Sequence, residues 1–385
     1  MRLDLTEEQE LVRLSARRFL ETEASLASVR AQFDTAEGFT RSLWRQEAEL
    51  GWACLGLPEW AGGYPLSGNP GRDLAIVAEE LGRMLGAGPL LPTVLVLDAL
   101  VQGGDPTGRE ALIQQISNGD ALVAWAFGES GNRWRPDEFG TRLRAEGEDL
   151  VLDGEKAYVE AGAQADLLLV TARMDEGLSQ LLVPASAAGV TVAPARSVDF
   201  VRRFAEVRFK GVRLPASALV GELGKAAGQA ERQFQLALLL QCAETNGALE
   251  HAFEFTVAYM RDRYAFGRPV ASFQALKHRL ADMLLRIQSC MATTDAALEA
   301  FDAGSAEALK LSRIAKAYVG ATSAAIVSDL VQMTGGIAVT WDHDLHLFER
   351  RIALNRALLG TPEHHRAEVH RLIVATAQPQ REGTA

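Results

Sequence analysis

The sequence predicts an α+β chain of three consecutive zones: an N-terminal α-helical part, a middle β-sheet or barrel, and a C-terminal four-helix bundle. Three changes of pattern carry that expectation. From Thr6 to about Asn118, apolar side chains such as Leu11, Leu14, Phe19 and Leu20 recur at helical spacing. From about Ala121 to Val220, the segments DLVLDG, ADLLLVTA, SQLLVPA, VTVAPA and FAEVRFKGVRLP are short, alternating or β-branched, and separated by Gly, Pro and Asp. From about Gly228 to Thr376 long helical patterns return. The expected domains are therefore residues 1–120, 121–226 and 227–385.

Thr6, followed by acids in the first turn, is the expected cap of the first helix, and the Gly/Pro cluster between Gly56 and Gly71 interrupts the helical zone. In the last zone, breaks fall near Gly267, near Gly304, at Gly335-Gly336 and at Gly360-Thr361-Pro362. A short polar tail follows Ala377.

Composition excludes several function classes. With 48% hydrophobic and 23% charged residues and a formal charge of −11, the chain is expected to be soluble and to repel nucleic acid and anionic membranes. Any phosphate binding must then be local. Cys54, Cys242 and Cys290 are far apart with no CxxC spacing, which argues against a disulfide framework and a zinc site. The N-terminal MRLDLTEEQELVRLSARRF is charged and amphipathic, and no run reaches about 18 apolar residues. Neither export nor membrane insertion is expected, and the expected location is the cytoplasm.

The run RYAFGRPVASFQALKH is the most informative segment, because it sets a fixed cation, Arg263, an aromatic, Phe266, and an amide, Gln274, around a helix break at Gly267 and Pro269. A guanidinium forks onto phosphate oxygens, so these residues suit a phosphorylated, flat cofactor. Gln332, Gly335 and Gly336 in QMTGGIAVT offer backbone that a ligand can approach without meeting a Cβ, although a plain helix cap would use the same glycines. Other motifs fail. No GxGxxG follows a strand and no GxxxxGK[ST] is present. Gly128-Glu129-Ser130-Gly131 lacks GxSxG spacing and is expected to be a turn. Asp342, His343, Asp344 and His346 match no zinc pattern and suit a helix start capped by aspartates, so no metal site is assigned.

Taken together, the order of zones and the segments LGWACLGLPEWAGGYP, AEELGRMLGAGPLLP, LDGEKAYVEAGAQADLLLV, RYAFGRPVASFQALKHRLADM and QMTGGIAVTWDHDLHLFERRI resemble the acyl-CoA dehydrogenase flavoproteins across essentially the whole chain. The resemblance implies FAD held between two subunits, with the flavin ring on one chain's sheet and the ADP end gripped by the neighbour. Arg263, Phe266, Gln274, Gln332, Gly335 and Gly336 would be the neighbour contacts, with Ala265 and Ala338 as departures from that pattern.

The same resemblance implies losses elsewhere. The family's α-proton base falls on Leu359, before Gly360-Thr361, or alternatively on Ala237, and neither can take a proton. No catalytic residue is assigned. The middle-zone flavin segment keeps only Glu129 in register, with Trp134 and Arg135 where a serine and an aspartate are usual. The aromatic-x-threonine beside the flavin reads Tyr158-Val159-Glu160, and the arginine that meets the CoA phosphates falls on Leu238. What this pattern resembles is the non-catalytic subunit of a heteromeric, α₂β₂ acyl-CoA dehydrogenase, with an acyl-CoA thioester as the substrate of the complex and lipid or steroid catabolism as its setting. Two alternatives stay open: a homo-oligomeric flavoenzyme with a relocated base, Glu244 or Glu160, and a cofactor-free structural subunit.

Overall fold

The computed structural model describes residues 5–103 and 108–377, so the polar tail expected after Ala377 lies outside the described residues. Six helices come first: α1 (Glu7–Glu23), α2 (Leu26–Ala31), α3 (Arg41–Glu49), α4 (Pro70–Met84), α5 (Leu90–Gln102) and α6 (Glu110–Ser117). Thr6 caps α1 in a reciprocal box, its hydroxyl accepting from the Gln9 amide while the Gln9 side chain accepts from the Thr6 amide. One face of the apolar pattern buries Ala16 and Leu20, whereas Leu11 and Leu14 stay exposed.

The middle zone is one eight-stranded sheet. Its strands are β1 (Val123–Ala126), β2 (Arg142–Glu146), β3 (Asp149–Glu160), β4 (Leu167–Met174), β5 (Gly177–Pro184), β6 (Val190–Ala195), β7 (Phe204–Pro215) and β8 (Leu219–Val220). The path runs β6-β7-β3-β2-β4-β5-β8, with β1 alongside β4 in parallel. Alternation along β3 and β7 turns Leu150, Leu152, Val207, Phe209 and Val212 into one buried cluster. The β3–β7 register slips between Lys156 and Val159, and Tyr158 takes φ 58° there. A bulge of this kind re-aims the side chains beyond it.

Five helices complete the chain: α7 (Ala227–Asp262), α8 (Gln274–Asp302), α9 (Ala308–Thr334), α10 (Leu345–Ala357) and α11 (Pro362–Ala377). The sequence pattern suggested roughly four helices, although the four breaks read from it, near Gly267, near Gly304, at Gly335-Gly336 and at Gly360-Thr361-Pro362, are the boundaries of these five. The first break is more than a helix end. Tyr264–Ala265 (β9) and Arg268–Pro269 (β10) pair antiparallel across Phe266-Gly267, with φ 54° and 78° at the tip. Two left-handed residues in a two-residue loop make a turn whose twist suits a hairpin. A phenylalanine in that conformation is strained, since its Cβ crowds the backbone. α9 is apolar enough and long enough to cross a membrane by composition, but α7, α8, α10 and α11 all pack on it.

The helical zones meet at contact distances that only glycine allows. A Cβ on Gly82 of α4 would sit 1.9 Å from the Glu244 carbonyl oxygen of α7, and one on Gly247 of α7 would sit 1.9 Å from the Glu79 carbonyl oxygen. Backbone approaches backbone, so this α4–α7 crossing has no slack. Close by, Arg351 of α10 is fully buried and links all three zones. Its guanidinium donates to Asp199 in the β6–β7 connection, to Glu244 of α7 at 2.6 Å, and at 3.4 Å to the carbonyls of Leu85 and Gly86 after α4. Burial alone would push the Asp199 carboxyl up, but Arg351 and the Val201 amide outweigh that and hold it below the ordinary range.

Glu47 of α3 is the opposite case. It is 1% exposed, neither carboxylate oxygen has a partner, and burial pushes its pKa up to about 8.

Two outcomes follow for stability. Arg351→Met leaves the Asp199 and Glu244 carboxylates buried without their cation, and is expected to lower unfolding free energy by about 3–5 kcal/mol in urea titrations. Glu47 is neutral in the fold and ionised when unfolded, so stability falls as pH rises from its ordinary value to about 8. Thermal melts of Glu47→Gln should therefore show an advantage over the parent that widens from about pH 5 to about pH 8 and then levels.

Candidate functional site

One cavity lies where the three zones converge, its space counted together with the solvent it opens to amounting to about 530 Å³. Leu91, Pro92 and Leu95 of α5 form one wall; Trp125, Gly128, Trp134, Tyr158, Glu160, Arg202 and Phe204 of the sheet zone form another; Ala237, Leu240 and Gln241 of α7 with Leu358 and Leu359 close the rest. Ala237 and Leu359, far apart in sequence, thus meet in one pocket. Leu359 is held there in a left-handed conformation, φ 63°, and the ring Nε2 of His365 donates to its carbonyl at 2.9 Å. Both positions are apolar, so neither can abstract a proton. Leu238, one residue along α7, is fully buried and does not line the cavity.

Two carboxylates lie near, and arginine holds both. Glu160 ends β3 opposite Phe204 of β7, which brings it beside Arg202. Arg202 Nε donates to Glu160 at 2.6 Å and Nη2 adds a second bond, so the pair is bidentate. Arg202 Nη1 then reaches Glu244 at 3.2 Å and the Asn355 side-chain oxygen at 3.0 Å. Glu244 also accepts from Arg351 and, at 3.0 Å, from the Asn355 amide. Burial opposes the charge on Arg202, but Glu160 and Glu244 hold its pKa above even the ordinary arginine value. Each carboxylate is the counter-ion of a buried guanidinium. To accept a proton it would have to give that up.

The segments that the resemblance places against a flavin ring are filled by the chain's own side chains. Trp134 is 4% exposed and its ring lies so close over Gly128 that a Cβ there would be 2.4 Å away. The indole packs 5.3 Å from the Tyr158 ring, and its N–H donates to Asn132 at 2.6 Å. Arg135 turns to Asp137 and Glu138. Glu129 sits at a tight turn, bridged to Arg133, as the sequence suggested. Its carboxylate is consumed by the amides of Gly140 and Thr141, the Thr141 hydroxyl and Lys156. Lys156 is buried over the Phe139 ring, and burial brings its pKa down to about 8 despite the Glu129 charge. In this corner Trp134, Glu129, Lys156 and Arg135 are each held by partners within the chain.

The other predicted group behaves differently. The α8–α9 connection is only a few residues long, so the start of α8 and the end of α9 lie at the same end of a helical hairpin, tied by Arg279 and Asp329 at 3.0 Å. The α7–α8 link projects from that end too. Arg263, Phe266, Gln274, Gln332, Gly335 and Gly336 are all exposed there. Phe266 is 95% exposed at the hairpin tip, and the Arg263 side chain has no partner. Gln274 opens α8 with no side-chain cap, leaving amide donors at a helix start, where anions are favoured. Gly335 and Gly336 end α9, and a Cβ on either would meet nothing within 4 Å. Arg261, Arg263, Arg268, Lys277 and Arg279 stand in a stretch whose own acid is Asp262, and with Arg279 paired to Asp329 the balance is still positive on a chain of net charge −11. Donors, a free aromatic face and bare backbone fit the phosphates and flat base of the ADP half of FAD.

Sequence reasoning overlooked Arg202, Arg351 and Lys316. The available signal was charge in apolar context: Lys316 lies on the apolar helix α9, and Arg202-Arg203 precede a core strand. Asp344 does start α10, but its carboxylate goes to Arg30 at 2.8 Å instead of capping the helix. Among the described residues no group of His, Cys, Asp and Glu is arranged to hold a metal.

Residues 6–120, 124–212 and 227–374 match the N-terminal, middle and C-terminal domains of acyl-CoA dehydrogenases. Acyl-CoA dehydrogenase IpdE2 of Mycolicibacterium smegmatis is 31% identical over 359 residues, covering 93% of this chain and 96% of that protein. Among solved structures, the ChsE4-ChsE5 complex from Mycobacterium tuberculosis matches with a TM-score of 0.86 and 25% identity, covering 100% of both chains. A variant of the Tcur3481-Tcur3483 steroid ACAD matches at 0.87 and 26%, covering 97% of this chain and 99% of that one. The chain belongs to the acyl-CoA dehydrogenase family of FAD-dependent oxidoreductases.

Proposed function

We propose that this chain is the non-catalytic subunit of a heteromeric acyl-CoA dehydrogenase, lending its exposed Arg263–Gly336 end to the ADP half of an FAD whose ring and base belong to a second, related chain. The observation that carries the reading is an asymmetry within one molecule. At the cavity, both base positions are aliphatic, both nearby carboxylates are spent on arginine, and Trp134 fills the ring segment. At the hairpin end the contact residues are exposed and, among the described residues, the Arg263, Gln274 and Gln332 side chains have no partner, while Phe266 meets Phe273 edge-on.

Bound FAD supplies the electron acceptor for desaturating an acyl-CoA thioester. This chain's residues supply binding: Arg263 pairs with phosphate, Phe266 covers a flat base, and the start of α8 and the Gly336 amide donate to oxygens, while the Gly335 amide stays bonded to the Val331 carbonyl. An exposed phenylalanine in a strained turn has no folding purpose by itself, so its gain comes when another chain closes over it. The two-name complexes among the structural relatives support pairing with an unlike chain; the α₂β₂ arrangement and the cytoplasmic location are part of the proposal. The steroid ACAD among the structural relatives supports a steroid-like acyl group.

Expressed alone, the chain should purify without flavin absorbance. Co-expressed with a related chain that keeps its glutamate, it should yield a yellow, active complex. Arg263→Ala removes a charge-assisted phosphate contact and should weaken FAD retention about 10- to 100-fold, read by ultrafiltration and absorbance. Unchanged retention would mark a cofactor-free scaffold, and FAD-replete Glu244→Gln or Glu160→Gln complexes without turnover would mark a relocated base.

A further inference from the structure

The hairpin between α7 and α8 carries a second guanidinium beside that of Arg263. Arg268 opposes Ala265 across the β9–β10 pair, and farther from the tip the Val270 amide donates to the Arg263 carbonyl at 2.8 Å. Side chains alternate between the two faces of paired strands, so Arg263, Ala265, Arg268 and Val270 belong to one face and Tyr264 and Pro269 to the other. Arg263 and Arg268 are diagonal neighbours on that face, and both are exposed. Among the described residues neither guanidinium has a carboxylate or hydrogen-bond partner, Asp262 included. Ala265, opposite Arg268, offers no polar atom to either. Like charges set this close repel each other, and an anion lying between them would reverse the sign of the interaction.

Arg268 is held from behind. Its guanidinium lies over the Phe273 ring, 4.0 Å from the centroid, and Phe266 meets the same ring edge-on at 6.3 Å. The Phe273 carbonyl accepts the Leu276 and Lys277 amides at 3.1 Å, which ties the ring to the first turn of α8. A stack of this kind covers the flat side of the guanidinium and leaves its N–H edge free. One half-buried aromatic therefore orients both the exposed phenylalanine and the second cation.

Diagonal positions on one face set Cβ atoms roughly 7–8 Å apart, a span from which two long side chains can converge on two linked phosphates. We propose that Arg268, stacked on Phe273, is a second phosphate-binding residue, and that with Arg263 it forms a clamp selective for a diphosphate over a monophosphate. The inference rests on the proposed function and deepens it, because it assigns the two arginines to the diphosphate bridge of the dinucleotide.

The test uses the purified complex with its partner chain and reads bound flavin by absorbance after ultrafiltration. Arg268→Gln should weaken FAD retention about tenfold, the loss of one charge-assisted contact. ADP and AMP are then added as competitors, and the concentrations that release half the flavin are compared. For the parent, ADP should act at about tenfold lower concentration than AMP, because its second phosphate meets the second guanidinium. In Arg268→Gln that ratio should fall to about twofold. Arg286→Gln removes an equal charge about three turns along α8 from Gln274, beyond the reach of screened charge, and should leave retention within about twofold and the ratio unchanged. Circular dichroism checks that each variant is folded. A parental ratio near one overturns the clamp whatever the variants do. So does a parental ratio that survives in folded Arg268→Gln, or an equal loss in Arg268→Gln and Arg286→Gln, which would make net charge the cause. Arg263→Ala separates the two readings: unchanged FAD retention there contradicts the proposed function, whereas weakened retention there with an unaltered ratio in Arg268→Gln contradicts only this inference.

Discussion

Two buried guanidiniums, Arg202 and Arg351, share the carboxylate of Glu244, and the rest of the structure is arranged around that pairing. Arg351 draws in Asp199 and the backbone after α4, and Arg202 draws in Glu160 at the end of β3. Charges taken from water at this depth are tolerable only when each finds an opposite charge and enough hydrogen bonds. The network meets that demand, and in doing so fixes the helical zones against the sheet. It also removes from use Glu160, which lines the cavity, and Glu244 behind it. Cohesion and loss of chemistry have one cause.

The backbone at the cavity has outlasted its reactivity. Leu359 keeps a left-handed conformation before Gly360, and the carbonyl is pinned by His365. An aliphatic residue gains nothing from that strain. The cavity remains shaped to present a side chain at position 359, but what it presents is apolar. The hairpin tip shows the same kind of strain put to a different purpose, because Phe266 at φ 54° is thrust almost wholly into solvent. One strained residue faces inward without chemistry, while the other faces outward into solvent.

Much of this was legible in the sequence. The change of period from helical to alternating and back marks the zones, because burial of one face imposes 3.6 or 2 on the pattern. Arg263, Phe266, Gln274 and the glycine pair stand in local motifs, and their gathering at one end follows from the short α8–α9 connection. The aliphatic residues at Ala237 and Leu359 could be read by position. Arg202, Arg351 and Lys316 were harder to read, since their partners lie tens to hundreds of residues away and the local sign, a charge in an apolar stretch, does not say which partner it meets. Glu160 and Glu244 looked like spare carboxylates for the same reason. Only the fold shows that each has an arginine. The hairpin at residues 264–269 was hidden too, because Phe-Gly is not a residue pair that turn chemistry favours.

The central claim is that a flavin is completed by two unlike chains, one giving the ring site and the other the nucleotide grip. Native mass spectrometry of the co-purified complex tests it most directly. The account predicts equal numbers of the two chains and half as many FAD molecules as polypeptides. A homo-oligomer of this chain carrying one FAD per polypeptide would contradict it.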